Sequence, residues 1–266
     1  MAHRRYIFFD IDGTLVAGGY GDNCYIPDST KEALKKLKQA GHFLCIATGR
    51  AQAMAVDYMH ELGFDNMVSD GGYGITINDK LLGITPLPKD KIVKLIDECK
   101  REGFAWGIQP DNSWTRKVPD SRFVEVTHDV YMKSEIVENL DPRNYDAIYK
   151  AYIACPAPQE ERLETLKELP WCRFFKEYLY VEPADKAYGI KKIMDYYKAD
   201  YKDAIVFGDA KNDISMFKDS WTKVAMGNAI PELKELSDYV TTDVDKDGIY
   251  NACLKLGLFE KVTSDN

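Results

Sequence analysis

The chain has 266 residues, 45% hydrophobic and 29% charged, with a formal charge of −8. That length admits one large domain or two modest ones, and the composition is that of an ordinary globular protein. The acidic balance argues against a nucleic-acid surface, which needs a basic field, and no apolar run reaches the roughly 20 residues that span a bilayer.

The first strand is expected from about Arg5, which leaves no room for a signal peptide. Six cysteines (24, 45, 99, 155, 172 and 253) form no CxxC pair, and several lie in apolar runs such as "HFLCIA". They read as reduced core thiols of a cytoplasmic protein. With only 4 histidines in the chain, histidine-based chemistry is not expected.

In chain order, a β-rich run "RYIFFDI" is followed by a loop. "PDSTKEALKKLKQAG" then carries Ala33, Leu34 and Leu37 at helical spacing, with a Pro-Asp-Ser start and a Gly stop. "HFLCIAT" reads as the next strand, "AQAMAVDYMHELG" as a helix and "NMVS" as a third strand; "GITINDKLLG" reads as a hairpin around Asn78-Asp79. Residues 84–183 mix helices (88–102 and 159–168) with strands expected at 104–109, 113–118, 147–154, 171–176 and 178–182. This paired, aromatic-rich pattern predicts a smaller α+β domain inserted into an α/β one. The tail alternates again: helix "YGIKKIMDYYK", strand "DAIVF", helix "DISMFKD", strand "KVAM", helix "PELKEL", strand "DYVT", helix "GIYNACLKLG". Strands alternating with helices predict a parallel sheet covered on both faces. The core is thus expected at 1–83 and 184–266.

Within "FFDIDGTLV", Asp10 and Asp12 interrupt an apolar run. Asp is a poor strand former, and a buried unpaired carboxylate is costly. In an extended chain these two would share a side, so their charge needs compensation. Ligands of open parallel sheets bind at the carboxyl ends of strands. Three apolar runs end in polar clusters there: Asp10 to Thr14, Thr48-Gly49-Arg50, and Gly208 to Asp213. If the strands are neighbours, four acids share one rim, and a carboxylate-rich, all-oxygen site suits Mg²⁺.

These motifs together resemble the haloacid dehalogenase superfamily, in its Cof-like sugar-phosphatase branch. "DIDGT" is similar to the first motif, "TGR" to the second, Lys186 in "DKAYGIKKI" to the third and "GDAKND" to the fourth; "VAMGNA", "DYVT" and "DGI" follow in the branch's order. The resemblance covers about 150 core residues and implies a Rossmann-like core with an inserted α+β cap. It also implies a Mg²⁺-dependent phosphatase for small phosphate esters, sugar phosphates foremost, acting through an aspartyl-phosphate. Asp10 would be the nucleophile, ionised without a base to activate it, and Asp12 the acid and base. Mg²⁺ would be held by Asp10, the Asp12 carbonyl and Asp209, with Asp213 supporting bound water. Lys186 would offset repulsion of the phosphate, while Thr48, Asn212 and loop amides would bind its oxygens. Gly49 belongs to the same phosphate-binding turn, and Arg50 is left without a role.

Lys186 breaks a local rule, since a cation in a first helical turn opposes the helix dipole. The chain departs from the branch in "SDGGYG", where Asp70 stands at a position often held by Asn. In the insertion, Trp106, Trp114, Arg116, Arg122, Tyr178, Tyr180 and Glu182 are candidates for a substrate pocket. The rivals are a phosphomutase on the same fold and, in another class, a receiver-type phospho-acceptor switch. Asp12 and the long insertion argue against the switch. A non-catalytic sugar-phosphate binder gives no reason for the full motif set, and dehalogenation does not require Asp12. No nucleic-acid or membrane partner is expected.

Overall fold

The computed structural model describes residues 3–18, 24–173 and 175–260. Contacts divide the chain into two units: 1–49, 57–82 and 185–266 form the first, and 50–56 with 83–184 the second.

The first unit begins with β1 (Tyr6–Phe9), whose four residues are all buried. α1 (Asp28–Gln39) has Asp28 in its first turn and Lys36 and Lys38 in its last, the polarity that the helix dipole favours. It buries Ala33, Leu34 and Leu37 and ends before Gly41, whose φ of +85° a side chain would strain. There follow β2 (Phe43–Ala47), α2 (Gln52–Glu61), β3 (Met67–Ser69), β4 (Gly74–Ile77) and β5 (Lys80–Ile84), although the start of α2 and the last two residues of β5 group with the second unit. Asn78 and Asp79 join the last two with positive φ, as a tight two-residue hairpin requires.

The second unit contains α3 (Lys89–Glu102), β6 (Ala105–Gln109), β7 (Thr115–Val118), α4 (Arg122–Thr127), β8 (Lys133–Ile136), β9 (Lys150–Ala154), β10 (Trp171–Cys172) and β11 (Leu179–Val181). Its sheet has the order β10-β11-β9-β6-β7-β8, antiparallel except for the parallel pair β7 and β8. Two-residue periodicity sorts its side chains. Ala151, Ile153, Leu179 and Val181 join Ile92, Leu95, Ile96 and Cys99 of α3 in one core. Tyr152, Ala154 and Tyr180 join Phe123 of α4 in another.

The chain returns to the first unit with α5 (Lys186–Tyr196), β12 (Ala204–Gly208), β13 (Thr222–Ala225), α6 (Pro231–Leu236), β14 (Tyr239–Val240) and α7 (Gly248–Lys255). Its sheet runs β14-β13-β12-β1-β2-β3-β4-β5 among the described residues. The strands from β14 to β3 are parallel, and β4 turns antiparallel to β3. The central strands are apolar throughout because a parallel sheet is covered on both faces.

Several expectations need correction. The segment 159–168 is two 3₁₀ turns, Gln159–Arg162 and Glu164–Glu168, rather than an α-helix. Buried Glu98 accepts from the Thr165 backbone N–H at 3.0 Å and from its hydroxyl at 2.7 Å, which removes a donor from any helical ladder. "DISMFKD" is likewise a 3₁₀ turn over Lys211–Met216. The strand expected at 171–176 shrinks to Trp171–Cys172, and its residue 174 lies outside the described residues. α4 and β8 had no counterpart in the sequence reading.

Candidate active site

β1 ends at Phe9, so Asp10 opens a turn rather than continuing a strand. The same-side argument for Asp10 and Asp12 therefore fails locally, although the need for compensation stands. The Asp10 N–H still donates to the Phe207 carbonyl at 3.1 Å, which fixes the turn to β12. Asp10 is 4% exposed, and Lys186 Nζ donates to its Oδ1 at 2.6 Å. The same ammonium donates to Asp213 Oδ1, also at 2.6 Å. Asp213 is fully buried, and its Oδ2 accepts from the backbone N–H groups of Asp209 and Ala210 at 2.9 Å each. One carboxylate thus orients both the lysine and the loop that carries Asp209.

Carboxylate oxygens of Asp10, Asp209 and Asp213 lie within 4.8 Å of one another. Burial raises the Asp10 pKa well above the carboxylate range, Asp213 adds to the rise, and Lys186 opposes it. Burial, with help from Asp213, pushes Asp209 up to about 7, while the hydrogen bond from Thr14 works against the shift. Burial lowers the Lys186 pKa, but the charges of Asp10 and Asp213 outweigh it and leave the ammonium more firmly protonated. Lys186 bonds two of the three acids, and among the described residues of this cluster the carboxylates outnumber it. A hard divalent ion with oxygen ligands fits such a donor set.

The loops are held just as closely. Thr14 Oγ1 donates to Asp209 Oδ1 at 2.9 Å. Gly13 has φ +80°, and a Cβ there would collide with the Asp209 carboxylate, so only glycine fits. Asp12 lies close enough to Asp209 to raise its pKa. Thr48, 2% exposed, follows β2, and a Cβ on Gly49 would stand 3.6 Å from Asn212 Nδ2, so those two motifs also meet. Arg50 groups with the second unit instead. Lys186 is the first residue of α5, whose N-cap Asp185 accepts from the Tyr188 N–H, and its own N–H donates to Ser215 Oγ at 3.0 Å.

Three contributors escaped the sequence reading. Thr14 stood in the first motif but received no role. Ser215 has no signal in sequence, because its contact is set by tertiary structure. The third is the peptide of Gly71, whose N–H donates to the Thr48 carbonyl at 3.3 Å and whose carbonyl accepts from the Asp185 N–H at 2.8 Å.

In the second unit, Trp106 lies in the apolar core beside α3, and Tyr178 and Tyr180 lie in the aromatic cluster on the other face. Fully buried Arg116 pairs with Asp129 and sits 4.4 Å from the Phe123 ring centroid. Glu182 takes Lys150 Nζ at 2.5 Å. Arg122 pairs with Asp120 on the surface, and Trp114, 50% exposed, donates from Nε1 to the Ala53 carbonyl at 2.9 Å.

A strand-end carboxylate bonded to a buried lysine, beside two further acids on the loop after the neighbouring parallel strand, defines a carboxylate-rich site at the strand ends of an α/β sheet. A family model of haloacid dehalogenase-like hydrolases matches residues 7–253, and the chain belongs to that family. It is 32% identical over 260 residues to YkrA of Bacillus subtilis, a candidate phosphatase by name, covering 96% of this chain and 99% of that one. It is 24% identical over 279 residues to the 5-amino-6-(5-phospho-D-ribitylamino)uracil phosphatase YwtE of the same organism, covering 92% and 95%. A crystal structure of a hypothetical protein from Geobacillus kaustophilus superposes with a TM-score of 0.84 at 33% identity, covering 97% and 100%. The chain is a phosphatase of this family.

Proposed function

We propose that the chain hydrolyses small sugar-like phosphate monoesters with Mg²⁺, through an aspartyl-phosphate on Asp10. The observation that carries the reading is the single Lys186 ammonium joined to Asp10 and Asp213, with Asp209 in reach of both acids. The Asp10 carboxylate attacks phosphorus, and the ester P–O bond breaks. Asp12 gives its proton to the departing alcohol. Water then attacks the aspartyl-phosphate, Asp12 takes the water's proton, and inorganic phosphate leaves with the Asp10 carboxylate restored. Lys186 offsets repulsion between nucleophile and phosphate: two unit charges at 4 Å interact by about 4 kcal/mol at an effective dielectric of 20, and a dianion doubles that. Thr48, the Gly49 turn and Asn212 hold phosphate oxygens.

Asp10, Asp209 and the Asp12 carbonyl would hold Mg²⁺, with Asp213 orienting the loop and its water. When bound, the ion supplies positive charge that neutralises the transferring group and clamps it in line. The polyol part of the substrate assignment draws support from YwtE, whose named substrate carries a phosphorylated ribityl chain. No helix of the described residues is long and apolar enough to cross a membrane. The six free cysteines, four of them buried, fit a reducing compartment, and a cytoplasmic location is part of the reading.

The test is release of inorganic phosphate across a panel of sugar, nucleotide and cofactor phosphates, with Mg²⁺ and with a chelator. Metal-dependent turnover that disappears in Asp10→Asn is expected, because an amide is no nucleophile. Steady-state turnover by a verified Asp10→Asn protein would overturn the assignment. A requirement for a bisphosphate activator would favour a phosphomutase.

A further inference from the structure

Asp70 is a buried acid that the proposed chemistry does not use. It is 3% exposed and lies in the left-handed region at φ +51°, which costs a non-glycine residue free energy and persists only where the surrounding structure over-determines the backbone. Its place in the sheet is specific. β1, β2 and β3 are consecutive parallel neighbours, with Phe9 opposite Ile46 and Ala47 opposite Val68. Asp10, Thr48 and Asp70 therefore follow the carboxyl ends of three adjacent strands, at the rim where such sheets bind ligands. Two strand spacings put the Asp70 backbone about 10 Å from that of Asp10, which is the reach of a five- or six-carbon chain esterified to a phosphate.

The turn that carries Asp70 is built to hold it. Ser69 Oγ donates to Asp70 Oδ2 at 2.8 Å, and Gly74 leaves the room that both side chains occupy. The next residue, Gly71, bonds to Thr48 on one side and to Asp185 on the other. Gly72, at φ +113°, lets the Asp185 carbonyl approach where a Cβ would stand. The turn is thus clamped between the strand bearing Thr48 and the helix bearing Lys186. A carboxylate here, added to those of Asp10, Asp209 and Asp213, repels a phosphate and so disfavours binding with the phosphate turned that way. A carboxylate also offers only acceptors, and it rewards ligands that bring hydroxyl donors.

We propose that Asp70 reads the alcohol end of the substrate by accepting hydrogen bonds from its hydroxyl groups, and that it selects polyol phosphates over plain alkyl phosphates. The inference rests on the phosphatase reading above. The probes are sorbitol 6-phosphate and n-hexyl phosphate, which share chain length and differ in hydroxyls. The intact protein should prefer the former in kcat/KM, and Asp70→Asn should shrink that preference at least tenfold. Asn tolerates the left-handed backbone. Asp70→Gly relieves the backbone strain while removing the carboxylate, and should shrink the preference likewise. An equal loss on both esters would make Asp70 structural and overturn the proposal, as would a preference that survives both substitutions. If the intact protein cleaves p-nitrophenyl phosphate but does not prefer the polyol ester, this inference falls and the phosphatase reading stands. If it cleaves no ester at all, both fall.

Discussion

Lys186 is 1% exposed and its ammonium bonds both Asp10 and Asp213, so its removal takes that charge from between two buried acids. Breaking a buried ion pair by deleting one partner costs about 3–5 kcal/mol. Lys186→Ala should therefore lower the melting temperature strongly in a chelator and less in millimolar Mg²⁺, since the ion supplies the missing charge. Equal losses under both conditions would separate Lys186 from the metal site. The two aspartates of the first motif should differ in kind. Asp12→Asn keeps its backbone carbonyl, so Mg²⁺ affinity should hold while turnover falls by at least the roughly 10²-fold of general acid–base catalysis. Asp209→Ala should instead weaken Mg²⁺ itself. Calorimetry on both variants checks this, and unchanged affinity in Asp209→Ala would contradict it.

At the scale of elements, the site depends on how α5 is seated. Gly72 has φ +113°, and a Cβ there would strike the Asp185 backbone carbonyl, one residue before Lys186. Gly72→Ala should shift the start of α5 and lower kcat by tenfold or more, because small displacements of catalytic groups are expensive. Gly41→Ala is the matched comparison: its φ is +85°, but nothing lies within 4 Å of the added carbon. It should lose stability through backbone strain and keep its kcat, as melting curves and steady-state kinetics would show. The sequence made the strand-end motifs legible because each couples a short apolar run to a polar turn, a pattern local in the chain. It also made α1 and α3 legible, since both are amphipathic with clear stops. What it could not expose were elements set by distant partners. Asp213 and Ser215 tie the Lys211–Met216 turn to β12's loop and to α5, and Glu98 captures Thr165. α4, with Val124 and Val126 exposed, lacks the apolar stripe that marks a helix. Trp106, Tyr178 and Tyr180 lie in the apolar clusters of their sheet, and in sequence a strand aromatic reads the same whether it serves core or ligand.

For the whole molecule, we propose a division of labour in which residues 1–83 and 184–266 carry the chemistry and the insertion at 84–183 sets specificity. Every proposed catalytic, phosphate-binding and metal residue lies outside the insertion. Binding energy gained away from the reacting atoms raises rates on large substrates more than on small ones. Joining Gly83 to Ala184 through a short Gly/Ser linker should leave Mg²⁺ binding and turnover of p-nitrophenyl phosphate measurable. It should lower kcat/KM for the best substrate of the intact protein at least tenfold further. The ends of an inserted domain usually lie close together, which makes such a linker feasible. The contact pattern adds a condition. Arg50–Val56 groups with the second unit, where Asn112 Oδ1 accepts from the Ala53 N–H at 2.9 Å, Asn112 Nδ2 donates to Gln52 Oε1 at 2.6 Å, and Trp114 Nε1 donates to the Ala53 carbonyl. Deleting the insertion removes all three bonds, so the first turn of α2 should lose amide-exchange protection while β1, β2 and β12 keep theirs. Exchange measured by mass spectrometry therefore establishes first that the shortened chain is folded. If that folded core then ranked the substrate panel as the intact protein does, specificity would reside in the core, and Asp70 would be the first residue to test for it.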